Sequence, residues 1–232
     1  MKLSVCIDMI YSQLPFEERI ARVREAGYGA VEFWGWRNKD LDAIERASKT
    51  HGVQVASFCV DPMGRLVDPA THDTFAEGVE SSIAQAQRFG AKALIVTVGQ
   101  ERDGVSRDEQ KAAIIRALRR VAPLAERGGV ALCIEPLNVL VDHKGYFLSS
   151  TDEAVEIIRA VDSPAVKLLY DVYHQQITEG NLIARIKQHA PIIGHIHIAD
   201  VPGRHEPGTG EINYAKVFEA IAAAGYQGYV GL

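Results

Sequence analysis

Residues 106–135 read SRDEQKAAIIRALRRVAPLAERGGVALCIE, and this stretch carries the grammar that decides the fold. Ser106 followed three residues later by Glu109 is a capping box, in which hydroxyl and carboxylate satisfy free N–H groups at a helix start. An amphipathic run follows. Gly128 then marks a helix end, where a left-handed residue costs glycine least, and Val130 to Glu135 form a short apolar run closed by an acid. The acid at the end of a strand is where chemistry is expected in a barrel of repeated βα units.

The same pattern recurs along the whole chain. Strand-like runs are expected at 2–8, 29–34, 53–60, 92–98, 130–135, 165–171, 192–198 and 227–232, and their continuous apolar character suits strands covered on both faces. Amphipathic stretches separate them, one opening with a second box at Ser150 and Glu153. Gly27, Gly52, Gly90 and Gly225 stand with Gly128 between helical pattern and strand. The chain of 232 residues has no Pro/Ser-rich linker, so a single (β/α)₈ TIM barrel domain over 1–232 is expected. A doubly wound open sheet would need a glycine-rich loop after its first strand, and Met9-Ile10-Tyr11-Ser12-Gln13 is none. The eighth run stops at Leu232, so the barrel is expected to be truncated after its last strand, with the eighth helix missing and an exposed apolar groove over strands eight and one, covered by another chain or left as a liability.

Composition narrows the function. Hydrophobic residues make up 47% and charged ones 24%, a globular balance. A formal net charge of −5 offers no basic surface for phosphates, so nucleic acid is not expected as a partner. No apolar run approaches the roughly 18 residues of a membrane span, nor does the start resemble a secretory segment. No membrane association and a cytoplasmic location are expected, and a homo-oligomer is allowed for. Cys6, Cys59 and Cys133 lie in strand runs without CxxC spacing and read as buried thiols.

Residues that end the strands are polar: Asp8, Glu32, Cys59 to Asp61, Thr97 to Gln100, Glu135, Asp171 and His197. Asp8 and Asp61 read first as caps of the following helices. Glu135, Asp171 and His197 end three consecutive strands, and two carboxylates there repel unless a cation sits between them. One divalent metal ion is expected on this trio, Mn²⁺ or Mg²⁺, with Co²⁺ also suited to oxygen and nitrogen donors. His195 lies two residues before His197 on the same face, either as a ligand or as a hydrogen-bonded core residue. Glu32 with Trp34-Gly35-Trp36 is a candidate for the pocket mouth or for rim packing. His143, Tyr146 and Phe147 could cap the pocket or cover the rim. No phosphate loop is present, which favours an unphosphorylated substrate.

Three stretches carry a family resemblance: Glu135-Pro136-Leu137-Asn138, Tyr170-Asp171-Val172-Tyr173-His174, and Gly194-His195-Ile196-His197-Ile198-Ala199-Asp200 running on through Val201-Pro202-Gly203-Arg204-His205-Glu206-Pro207-Gly208-Thr209-Gly210-Glu211-Ile212-Asn213-Tyr214. They resemble the hydroxypyruvate isomerases, within the xylose isomerase-like barrels that include ketose 3-epimerases. The resemblance implies an isomerase in which Glu135 binds metal and moves the proton, Asp171 and His197 are further ligands, and His174 and Arg204 bind substrate; Glu32 and His143 join the substrate-binding candidates from their places near the pocket mouth. It implies an enediolate route between hydroxypyruvate and tartronate semialdehyde, the alternative being epimerisation of a free ketose. Arg204 would hold a substrate carboxylate or a sugar hydroxyl, unless Glu206 or Asp200 ties it up in the loop. The family's fourth ligand, a second glutamate, follows a sequence like Tyr-Val-Gly-Leu. With the chain ending at Leu232, weak metal binding and slow turnover are expected, or a barrel that binds without catalysing. Endonuclease IV shares the barrel but needs three zinc ions and many more ligands, whereas His51, His72 and His189 are scattered.

Overall fold

A computed structural model describes residues 1–232. Eight parallel strands close in chain order: β1 (Lys2–Cys6), β2 (Ala30–Phe33), β3 (Gln54–Cys59), β4 (Ala93–Val96), β5 (Ala131–Ile134), β6 (Val166–Asp171), β7 (Ile193–His197) and β8 (Tyr229–Gly231). β8 pairs back onto β1 through Leu3 opposite Val230 and Ser4 opposite Gly231. All eight expected runs form strands, each shorter than its apolar run, because residues at the ends leave the ladder to join the flanking loops. Glu135 therefore stands one residue beyond β5.

The helices are α1 (Phe16–Glu25), α2 (Leu41–His51), α3 (His72–Phe89), α4 (Arg107–Gly128), α5 (Thr151–Val161), α6 (Val172–Thr178), α7 (Leu182–His189) and α8 (Tyr214–Ala223). Two of them, α6 and α7, share the passage from β6 to β7, and α8 precedes β8. The groove expected over β8 and β1 is not open. Val5 and Val230 are buried, Leu3 is only half-exposed, and all three pack with the main core.

Local chemistry explains the helix ends, with two departures. Ser106 accepts from the Glu109 amide at 3.3 Å and the Glu109 carboxylate takes the Ser106 amide at 3.1 Å, completing the box. At Ser150 only half the box forms: its hydroxyl accepts from the Glu153 amide, but the Glu153 carboxylate pairs with Arg107, where a charged partner is the stronger attraction. The left-handed residue after α4 is Gly129, at φ 64°, while Gly128 belongs to the helix. Gly128 is a packing site, since a Cβ there would fall 2.5 Å from Ile83 Cγ2.

Two apolar regions hold the barrel. The larger, of 54 residues, lies between strands and helices; within it the Phe33 and Phe58 rings stack at 5.2 Å, with Phe89 edge-on to both. The smaller, inside the barrel, joins Cys59, Ala93, Ile95, Cys133 and Leu169 from β3 to β6. The remaining strands line the interior with polar groups, Ser4, Glu32 and His195 among them, all buried. The barrel interior is thus divided, and the polar half leads up to the rim.

Candidate active site

Glu135, Asp171 and His174 meet at the carboxyl ends of β5 and β6, each of them buried. One ligand atom from each lies within 4.8 Å of the others, and the same holds for Glu32, His195 and His197. The expected trio is therefore divided between two clusters that touch: His197 Nδ1 lies 3.3 Å from Glu135 Oε1. Asp171 also caps α6, accepting the His174 amide at 3.1 Å. One side chain serves both helix and site.

The charges of the site depend on one another. Burial alone would raise the Asp171 pKa, but His174, His197 and Arg204 and the His174 amide hold it below the usual carboxylate range. Burial would lower the His197 pKa, yet Glu32 and Glu135 push it well above the ordinary histidine value. Two neighbouring buried carboxylates with imidazole nitrogens and no thiolate make a donor set that fits a divalent cation of the Mn²⁺ or Mg²⁺ type. Glu135 and Asp171, with His197, are the residues able to hold it.

Next to this cluster lies a group of side chains facing the mouth. His174 Nδ1 accepts from Asn138, at 3.3 Å from its backbone N and 2.7 Å from Nδ2, which leaves the proton on Nε2. That nitrogen lies 3.6 Å from Asp171 Oδ2 and 3.4 Å from Arg204 Nη2. The Arg204 guanidinium rests 5.1 Å from the Tyr173 ring centre and makes no salt bridge with Glu206 or Asp200. It is free for an anionic group. His143 stands half-exposed with its ring 5.2 Å from that of His174.

Sequence reasoning passed over Asn138 and Asp200. Asn138, fully buried, takes the Val141 and Asp142 amides on Oδ1 and donates from Nδ2 to Asp142 and His174. A turn residue in the same motif as Glu135 was the available signal. Asp200 organises the loop that carries Arg204, accepting the amides of Val201, Gly208 and Ile212. Gly210 is required by this close approach, because a Cβ there would lie 2.1 Å from the Val201 carbonyl oxygen.

Burial would raise the Asp200 pKa, but these amides overcome it and hold the carboxyl below its ordinary value. A folded-state pKa below the unfolded one gives stability that is complete above about pH 4 and is lost as pH falls further. Asp200→Asn is accordingly expected to be less stable than the native chain at pH 7, with the difference in urea midpoint shrinking below about pH 4. A difference that grows with acid would refute this.

Other placements decide between readings the sequence left open, or depart from them. Glu32 is not at the mouth but inside the barrel, 2% exposed, because its inward position on β2 brings it under β7. Trp36 is packed, its Nε1 donating to Ser82, so only Trp34 is open at the rim, 46% exposed. Tyr146 and Phe147 are buried and cover the rim; the Tyr146 hydroxyl takes the Val98 amide and donates to the Glu135 carbonyl. Asp8 and Asp61 cap no helix of their own. Asp8 accepts the Trp34 amide, and Asp61 those of Trp36 and Arg37, so both fix the loop after β2.

Cys59 and Cys133 are buried as expected, whereas Cys6 is half-exposed. Burial pushes the Cys6 thiol up to about 11 and Cys133 up to about 12, and Cys59 well above its ordinary value. No thiol should then react quickly with an aromatic disulfide reagent at pH 8 in the native protein, and all three should react after unfolding. A fast native thiol would contradict this arrangement.

Acids and imidazoles gathered above a closed eight-stranded parallel barrel, with a cationic residue at the mouth, define a barrel enzyme of the isomerase or epimerase type. The chain belongs to the xylose isomerase-like TIM barrel family, whose pattern matches residues 20–232. It is 31% identical to the hydroxypyruvate isomerase of Escherichia coli K12 over 238 residues, covering 100% of this chain and 92% of that protein. The structure described as AP endonuclease, family 2, from Brucella melitensis superimposes with a TM-score of 0.94 at 30% identity, covering 99% of this chain and 91% of the other. A 3-keto-D-glucoside 4-epimerase from E. coli superimposes at 0.88 with 25% identity, covering 100% and 90%. No helix is long and apolar enough to cross a membrane.

Proposed function

We propose that this chain interconverts a small α-hydroxy carbonyl acid with its isomer, of the hydroxypyruvate and tartronate semialdehyde type, by moving one proton between adjacent carbons. The observation that carries the reading is the meeting of Glu135 and Asp171, two buried acids, beside a donor pair from His174 and Arg204. A divalent ion held there would supply positive charge where the substrate oxygens become negative. Glu135 takes the proton from the carbon bearing hydroxyl, the electron pair of that C–H bond forms the enediolate double bond as the carbonyl pair moves onto its oxygen, the hydroxyl proton passes to that oxygen, and the carbon proton returns to the neighbouring carbon. Nothing is oxidised or reduced overall. Arg204, unpaired in its loop, would hold the substrate carboxylate in a two-pronged contact, and His174 Nε2–H would donate to a hydroxyl.

Similarity to E. coli hydroxypyruvate isomerase supports this substrate class. Epimerisation of a free sugar is the second reading, supported by the exposed Trp34 indole, whose face suits sugar C–H groups, and by the likeness to the 3-keto-glucoside epimerase. Titration calorimetry with Mn²⁺, followed by assays on hydroxypyruvate and on free ketoses with and without the ion, tests both. Turnover of hydroxypyruvate that disappears on chelation and returns with Mn²⁺ is expected. Ketose turnover alone would overturn the first reading in favour of the second.

A further inference from the structure

We propose that Glu32 is a positioning residue: its carboxylate holds the Nε2–H of His197 inside the barrel, which turns the Nδ1 atom of the same ring toward Glu135 and the rim. The inference rests on the reading that this rim holds a divalent ion and extends it to a residue of β2, on the far side of the interior.

The hydrogen bonding of Glu32 is complete and one-sided. Its Oε2 lies 2.9 Å from His195 Nε2 and 3.0 Å from His197 Nε2, and its Oε1 accepts the Ser4 hydroxyl. An ionised carboxylate only accepts, so both imidazoles must present N–H at Nε2. The two rings approach the shared oxygen edge to face, with planes at 85° and centres 4.9 Å apart. For His197 that leaves Nδ1 directed at the rim, 3.3 Å from Glu135 Oε1. A metal-binding histidine whose other nitrogen donates to a carboxylate is fixed in tautomer and orientation and is a more basic ligand.

The backbone around Glu32 is shaped to admit this array. Glu32 lies where the β2–β3 register shifts, so that Val31 pairs with Val55 but Glu32 with Ser57; such an irregularity re-aims a side chain. Opposite it, Gly231 leaves the space empty: a Cβ there would fall 2.1 Å from Glu32 Oε1 and 2.8 Å from His197 Cδ2. A carboxylate that served only to neutralise a buried histidine would need neither both imidazoles on one oxygen nor an outward-facing second nitrogen on His197.

Nitrogen-15 NMR of the histidine rings in metal-free protein detects the Nε2 proton directly, with Mn²⁺ affinity as the second measurement. A slowly exchanging proton on His197 Nε2 is expected in the native chain and its loss in Glu32→Gln, together with about a 10–100-fold fall in Mn²⁺ affinity. Ser4→Ala, which leaves both histidines on Oε2, should keep native affinity and the Nε2 proton. Absence of that proton from native His197, or native affinity in folded Glu32→Gln, overturns the proposal. If Glu32→Gln does not fold, the native spectrum and Ser4→Ala still decide it. If the native chain binds no Mn²⁺, the metal reading fails by itself, and the NMR result continues to judge the hold of Glu32 on His197.

Discussion

Glu135→Gln should lower turnover by about 10²–10⁴-fold, the range ordinarily contributed by a positioned acid or base. The amide keeps the volume of the side chain but accepts a proton too weakly to take one from carbon. The loop should stay in place, since Tyr146 holds it through the Glu135 backbone carbonyl rather than the side chain. The fold should therefore survive while the chemistry is lost. Exchange of the substrate C–H with solvent deuterium, measured at saturating Mn²⁺, isolates the proton step from binding. Retention of more than about a tenth of the exchange rate would remove Glu135 from the role of base, because so small a loss corresponds to less than about 1.4 kcal/mol of barrier.

The second large effect is expected at Asp171, where two functions of one carboxylate can be separated. Asparagine caps helices about as well as aspartate, so Asp171→Asn should preserve the bond to the His174 amide and the start of α6. It removes one of two adjacent negative charges, and without that charge Mn²⁺ affinity should fall by more than the roughly 10–100-fold typical of outer partners of metal ligands. In metal-free protein the same substitution gives up the attraction of His174, His197 and Arg204 that holds the carboxyl below its ordinary range, so a modest fall in urea midpoint at pH 7, shrinking below about pH 4, is expected. Asp171→Ala should lose both cap and ligand, with a stability cost of about 0.5–2 kcal/mol. A large destabilisation by Asp171→Asn with unchanged affinity would mark Asp171 as structural only.

How far the site was legible differs from residue to residue. Glu135, Asp171 and His197 could be found because each closes an apolar run, and strand ends in a parallel barrel face one rim. His174 and Arg204 were reached by resemblance alone, and the structure gives them a common geometry, with Arg204 Nη2 3.4 Å from the ring nitrogen. Asn138 and Asp200 were missed because they act through backbone amides. Such partners are created by the path of a loop, and no pattern of side chains announces them. Asp8 and Asp61 were read as caps of their own helices because capping is the commonest local use of an aspartate after a strand; their real partners belong to the loop after β2.

By itself the sequence determined the barrel and the placing of its acids at strand ends, since helix boundaries, glycine stops and apolar runs are local properties written within a few residues. Tertiary structure alone decided which of those groups meet. Glu32 and His195 are 163 residues apart, and their contact depends on the closure of β8 onto β1, the stagger of the strands and the register shifts in β2–β3 and β6–β7. Alternation along a strand says that a side chain faces inward. It does not say what it faces, and for that reason one carboxylate expected at the mouth lies beneath the site, bound to the histidine that was expected to hold the metal.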